Sequence, residues 1–358
     1  MAYNNHTNRS VVRRRGASEP STTYRRRKRY REIRFDLIVM AALVLVLAVA
    51  MNVPQQPQQT VDPTDGSTTM QIQDTTDQQT VPPETVAPTT SPGPLEFTAE
   101  DEALIYVRTI SWTGGDATSQ DVVEALESSL DWDLTEPGVT VLIIHSHISE
   151  SYTLNSNQVP DESEGFVSDD YRTDDERYNM IAIGKRVAEV LRKNGIHVIH
   201  DATSFEIPNS DYAYENAREH LRETLDDNPG ICLILDLHQD AVPDPNDPEE
   251  QWAPTVTVGG EKSAMISMLI GYNDSYDQIW DSNLSFAVKL GAQLNRNVPD
   301  TFRQLLINNS EIRYNQDMGP VTMLVEVGTA GNSLEEALNG AELLAEALVD
   351  MALGANVD

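Results

Sequence analysis

The sequence predicts an α/β protein, a three-layer arrangement in which a mostly parallel, twisted sheet carries helices on both faces. Three observations predict it. From Val139 onward, short apolar runs alternate with amphipathic stretches of helical period, the pattern of strands joined through crossover helices. Helix start and stop signals fall between those runs rather than inside them. Three of the runs deliver histidine or glutamate at or near their ends, where open α/β sheets present their chemistry.

Taken in order, residues 139–144 read as a buried strand. Residues 179–194 read as a helix with Met180, Ile183, Val187, Val190 and Leu191 on one stripe, ended by Gly195 in a left-handed turn. A short strand at 196–199 and a helix at 212–226 follow. The apolar run 231–237, bounded by Pro229-Gly230, is the clearest strand. Residues 255–258 form a weaker strand, 283–295 a helix and 321–327 a strand. Ser333-Leu-Glu-Glu336 is a capping box that opens the final helix. These elements define a domain at 139–353. Residues 97–138 form a small segment ahead of it, with two amphipathic patterns.

The 358-residue chain has a formal net charge of -32, unevenly spread. Eleven Arg and Lys against Glu19 and Glu32 leave residues 1–34 at +9, so the remainder stands at -41. So acidic a body repels a phosphate backbone, and no nucleic-acid partner is expected. The single cysteine, Cys232, excludes an intramolecular disulfide framework and reads as a small buried hydrophobe.

The basic residues 1–34 flank fifteen uncharged apolar residues at 37–51, extended by Phe35 and Val53 to a span at 35–53. That length matches the roughly 20 residues needed to cross a bilayer. The positive flank places 1–34 in the cytoplasm and the rest of the chain outside it, a single-pass protein of the cell membrane. A cleavable signal peptide is the rival reading, and Ala48-Val49-Ala50 is a poor cleavage pattern for it. Residues 54–96 lack Lys, Arg, Cys and aromatic side chains and are rich in Pro, Gln, Thr and Asp. They read as a disordered tether with a reach of roughly 35–40 Å.

Three segments carry the candidate chemistry. In His145-Ser-His-Ile-Ser-Glu150, the H-x-x-E pair lets one tight loop aim an imidazole and a carboxylate at one point. Ile234-Leu-Asp-Leu-His-Gln-Asp240 places His238 at a strand end, and Met323-Leu-Val-Glu-Val-Gly328 interrupts an apolar strand with Glu326. Zinc takes such mixed nitrogen and oxygen ligation and keeps a position open for reaction. His147, Glu150 and His238 are the candidate ligands, with Glu326 as the base toward the attacking water. Each alone reads more simply as a structural residue, but two histidines and two glutamates at three strand ends are improbable as accidents. His145 shares a face with His147 and is ligand, neighbour or substrate group. Glu176, in an acidic first helical turn, is the alternative carboxylate, and His197 and His200 read as structural or surface residues.

These residues resemble a known family. The H-x-x-E…H…E order is similar to that of zinc carboxypeptidases and of N-acetylmuramoyl-L-alanine amidases, which share a phosphorylase/hydrolase-like α/β fold. More closely, the chain resembles the stage II sporulation protein P family. The matching segments are His145-Ser-His-Ile-Ser-Glu-Ser-Tyr152, the 184–196 helix, Leu235-Asp-Leu-His-Gln-Asp-Ala241, Tyr314-Asn-Gln-Asp-Met318, Leu324-Val-Glu-Val-Gly328 and Asn332-Ser-Leu-Glu-Glu-Ala337. The resemblance implies a membrane-anchored peptidoglycan hydrolase that cuts the N-acetylmuramoyl-L-alanine amide, acts in sporulation, and works with other membrane-bound wall-remodelling proteins. It implies Zn2+ on His147, Glu150 and His238, Glu326 as the catalytic residue, and His145, Asp240, Tyr314, Asn315 and Gln316 near the site.

Three departures fall on the substrate side. Gln239 stands where the family has Arg, Thr329 where it has a second Gly, and only Pro299 and Arg303 survive of one Pro-Gly-Leu-Ser-Arg stretch. Two other classes therefore stand beside the amidase: an inactive peptidoglycan-binding homologue, and a zinc carboxypeptidase or endopeptidase using Arg303 or Arg313 to clamp a terminal carboxylate.

Overall fold

The computed structural model describes residues 96–111, 118–130, 132–163, 166, 171–207, 209–247, 250–271, 277–309 and 312–354. The basic tail at 1–34, the apolar span at 35–53 and, save Glu96, the tether at 54–96 lie outside them. Among the described residues no helix is long and apolar enough to cross a membrane.

In chain order the elements are β1 (Val107–Ser111), α1 (Ser119–Glu127), β2 (Val141–Ile144), α2 (Met180–Lys193), β3 (Val198–His200), α3 (Ala213–Asp227), β4 (Leu233–Asp240), β5 (Thr255–Val258), β6 (Glu261–Ala264), β7 (Ile266–Gly271), α4 (Asp277–Asn297), β8 (Phe302–Asn309), β9 (Val321–Thr329) and α5 (Leu334–Gly354). The sheet runs β1-β8-β7-β9-β4-β2-β3. Every neighbouring pair is parallel except β7 with β9, so two parallel blocks meet back to back at that junction. The predicted mostly parallel α/β sheet is what the chain forms.

Helix ends follow the local sequence. Asn179 accepts from the Ile181 amide at 3.0 Å to start α2, and Gly195, at φ 84°, turns the chain after it. Ser333 and Glu336 close a reciprocal capping box on α5, at 3.0 and 3.2 Å. The strands β1, β6, β7 and β8 were not anticipated. Residues 97–138, read from the sequence as a segment ahead of the domain, supply β1 to the sheet edge beside β8 and pack α1 against α4. The weaker strand at 255–258 forms, but as a hairpin with β6 apart from the main sheet, turned through Gly259 and Gly260 at φ 60° and 96°.

The two sheet faces differ. Leu233, Leu235 and Leu237 of β4 and Met323, Val325 and Val327 of β9 point into a large core shared with α2, α4 and α5. The alternate residues point the other way. There Leu142, Ile144 and Ile234 meet Ala213, Ala217 and Leu221 of α3 in a second, smaller core. Among the described residues, no other helix covers that second face. The even-numbered residues of β4 and β9, His238 and Glu326 among them, therefore lie on the less covered side.

Candidate active site

The sheet brings the three predicted segments together because β2, β4 and β9 are parallel neighbours. His238 stands opposite Glu326 in register, and Glu326 stands opposite Ser267 on β7. Same-face neighbours on adjacent strands are close enough to interact directly.

Beyond β2 the chain turns at once: the Glu150 amide donates to His147 O at 3.3 Å, closing the H-x-x-E segment. Glu150 then reaches His238, its Oε2 3.2 Å from Nδ1, and the Gln239 amide donates to the same oxygen at 3.1 Å. Position 239 thus supports Glu150 through its backbone. The His147 and His238 rings are 5.6 Å apart between centroids, nearly perpendicular. His147, Glu150 and His238 form one cluster.

A second ring of groups, unread in the sequence, backs these three. Glu206, on the loop before α3, accepts from His147 Nδ1 at 3.3 Å, from the Ser149 amide at 2.8 Å and from Arg172 Nη1 at 2.6 Å. The His147–Glu206 bond leaves His147 Nε2 as the electron-pair donor. Burial opposes the Glu206 charge, but those hydrogen bonds prevail and lower its pKa to about 2. Asp236 is buried beneath the site and accepts from the Ser146 amide and hydroxyl at 2.8 and 2.6 Å. Its Oδ1 also lies 3.1 Å from His238 Nε2, an ion-pair contact not aligned as a hydrogen bond. Burial disfavours a charged His238, yet the Asp236 and Glu150 carboxylates outweigh it and raise the pKa well above the usual histidine value.

Glu326 is the least satisfied of the group. Its Oε2 is shut off from solvent and has no hydrogen-bond partner. Burial, then the charge of Asp240, raises its pKa well above the carboxylate range, with His238 opposing. Asp240 is held by Arg303, which donates to it at 2.6 Å and to Ser267 Oγ at 2.8 Å while lying over the Trp252 ring. Arg303 is thus committed to the site wall, and Arg313 donates to Asp317 at 3.1 Å. Thr329, where a glycine was expected, is buried, and its hydroxyl donates to Trp252 O to tie down the 250–254 loop.

The remaining predicted residues separate. His145 is buried and turned toward β3: its Nδ1 donates to Leu237 O at 3.1 Å, so its Nε2 accepts from His200 Nε2 at 2.9 Å. Glu176 is exposed and pairs with Lys185 at 3.3 Å, outside the cluster. Gln316 bridges β7, accepting from the Gly271 amide at 2.8 Å and donating to Leu269 O at 2.7 Å. Asn315 donates to Tyr214 O at 2.9 Å. The Tyr314 ring packs edge-on against Tyr214.

Two imidazoles and a carboxylate are a donor set that suits zinc, and each imidazole is backed by an outer carboxylate, as metal-binding histidines commonly are. Among the described residues no three His, Cys, Asp or Glu groups already stand in ligating geometry. The fit lies in the chemistry of the donors: Glu326 Oε2 has no hydrogen-bond partner, and the carboxylates around His238 leave an excess of negative charge that a cation would balance.

The sequence model of stage II sporulation protein P (SpoIIP) matches residues 47–349. Stage II sporulation protein P of Bacillus subtilis (strain 168) is 22% identical over 222 residues, which are 59% of this chain and 50% of that protein. The chain thus spans about half the length of the curated relative it matches. Among solved structures, it is similar to the N-acetylmuramoyl-L-alanine amidase AmiC2 of Nostoc punctiforme, at 14% identity and a TM-score of 0.32, covering 60% of this chain and 95% of that one. It is also similar to the amidase Ami1 of Mycobacterium smegmatis, at 13% identity and a TM-score of 0.35, covering 62% and 99%. The CwlD amidase of Clostridioides difficile, solved in complex with the GerS lipoprotein, gives 13%, 0.35, 60% and 95%. Because the family match extends over most of the sequence, this chain belongs to the stage II sporulation protein P family.

Proposed function

We propose that this protein is a zinc-dependent peptidoglycan hydrolase that cleaves the amide between N-acetylmuramic acid and L-alanine in sporulation-linked wall remodelling. The observation that carries the reading is Glu326. It is an unpartnered carboxylate of raised proton affinity, in register with His238 on the less covered face of the sheet. Membership of the family supports the same reading.

His147, Glu150 and His238 would hold the zinc, which when bound supplies Lewis acidity to the scissile carbonyl and to water. Glu206 keeps the His147 tautomer that leaves Nε2 free to bind. Asp236 and the Gln239 amide hold His238 and Glu150 in place. Glu326 takes the proton of the attacking water and delivers it to the departing alanine nitrogen, which its raised proton affinity favours. Arg303 neutralises Asp240, so the wall beside Glu326 carries one fewer free negative charge.

Zinc-loaded protein is tested on purified sacculi, with products read by mass spectrometry. Freed stem peptides are expected, and Glu326→Gln should bind zinc but release none. Intact sacculi with wild-type protein, or normal cleavage by Glu326→Gln, would sink the reading; shortened stems would mark a peptidase instead. The apolar span at 35–53 and its basic flank support a single-pass anchor with the 97–354 region outside the cytoplasm. Such a protein partitions with membranes and is digested by protease added to protoplasts, and protection from that protease would reverse the orientation.

A further inference from the structure

Tyr214 opens α3 and stands over both candidate ligand histidines. Its ring stacks on His238, 6.2 Å between centroids with the planes 14° apart. It meets His147 edge-on at 5.4 Å and Tyr314 edge-on at 5.6 Å. Three aromatic neighbours on three different segments hold the ring in one orientation. Its backbone is held as well, since Asn315 Nδ2 donates to Tyr214 O from a loop whose Tyr314 and Asn315 both sit at positive φ, 49° and 57°. That strained loop is itself tied to α3 by Arg218, which grips Asp317 with both guanidinium nitrogens at 2.5 and 2.9 Å.

The hydroxyl is what sets Tyr214 apart. Tyr152 donates to Val327 O at 2.8 Å, and the Tyr314 hydroxyl accepts from Asn308 Nδ2. The Tyr214 hydroxyl has no hydrogen-bond partner among the described residues. Tyr214 is half-buried, which leaves its hydroxyl available to an incoming group. A phenol ordinarily keeps its proton until about pH 10, so the group is a proton donor at neutral pH.

We propose that Tyr214 is the donor that hydrogen-bonds the scissile carbonyl oxygen of the substrate, strengthening as negative charge grows there. This rests on the hydrolase reading above. No bond forms or breaks at the tyrosine, and the phenol keeps its proton throughout. The water's proton travels through Glu326, and the fixed hydroxyl meets the charge that grows on the oxygen.

The test compares zinc-loaded full-length wild type, Tyr214→Phe and Tyr212→Phe on sacculi. Tyr212 precedes Tyr214 on the same segment but is 59% exposed, and its phenylalanine variant should keep the wild-type rate. Tyr214→Phe should keep its melting temperature, because the ring contacts persist. Its kcat should fall on the order of 10²-fold with little change in KM, the range for losing one such donor. An unchanged kcat, or a loss confined to KM, would overturn the proposal while leaving the hydrolase reading intact. No hydrolysis by wild type would defeat that reading first. If Tyr214→Phe does not fold, p-aminophenylalanine at position 214 keeps the shape and a weaker donor. Its kcat should be measurably reduced, and a wild-type rate would again overturn the proposal.

Discussion

Glu206 accepts three hydrogen bonds, from His147, the Ser149 backbone and Arg172, and through them sets which nitrogen His147 turns to the site. Glu206→Gln keeps a side-chain acceptor but loses the charge that answers Arg172 and the imidazole. Zinc affinity is expected to fall about 10- to 100-fold, measured by competition with a chromophoric chelator; undiminished affinity would remove Glu206 from the site. On the far side of β2, His200 donates to the buried His145 from a half-buried position, and burial lowers their pKa values to about 4 and about 3. Both lie below the ordinary 6.5, so the folded state binds fewer protons than the unfolded one between those limits. Stability is full above about pH 6.5 and falls as pH drops toward 4. His200→Asn should flatten that slope in urea titrations from pH 7.5 to 5, and an unaltered slope would show that other groups carry it. Gly184 makes the pair possible: a Cβ there would lie 2.3 Å from His200 Nε2 and 2.6 Å from His145 Nε2.

At the scale of elements, the loop at 312–320 acts as a clamp across the helix-poor face. Gln316 takes the place of a neighbouring strand at the end of β7, where pairing with β9 stops at Leu269. Gln316→Ala would leave the Gly271 N–H and the Leu269 carbonyl without those bonds. At about 1–3 kcal/mol for each buried group left unmet, a loss of about 2–4 kcal/mol is expected in urea unfolding. A loss below about 0.5 kcal/mol would mean that water replaces the glutamine there. The sequence placed Gln316 near the site by resemblance alone. Its bracing of β7 was invisible, because it depends on where β7 and β9 part. Helices were more legible than strands. Asn179, Gly195 and the Ser333–Glu336 box are local signals that act within a turn or two of chain. β8 was missed because Arg303, Gln304 and Asn308 break its apolar pattern, and two of those three serve the site or the clamp.

For the whole molecule, the sheet reaches back past the boundary that the alternating strand and helix signals suggested. β1 pairs with β8 from Val107 to Ser111, and α1 seats on α4, where Lys289 donates to Ala125 O at 2.5 Å. A chain begun at residue 139 would expose the β8 edge and strip α4 of the cover that α1 gives Lys289. A fragment of residues 139–354 is expected to aggregate or melt well below one of residues 96–354, since a bare apolar edge strand invites pairing between molecules. Equal melting temperatures would show that β1 and α1 are dispensable.

By itself the sequence determined the α/β class and the long helices and singled out His147, Glu150, His238 and Glu326 as candidates, because these readings depend on periodicity and on residue types at strand ends. Only the tertiary structure decided which partners complete them. Glu206, Asp236 and Tyr214 lie 59, 89 and 67 positions from His147 along the chain, and no local pattern ties them to it. Adjacency of β2, β4 and β9, together with a single helix on their outer face, brings Asp236 and Tyr214 to the histidines and leaves Glu326 unpaired. Side chains separated in sequence meet only where the sheet order and its less covered face place them.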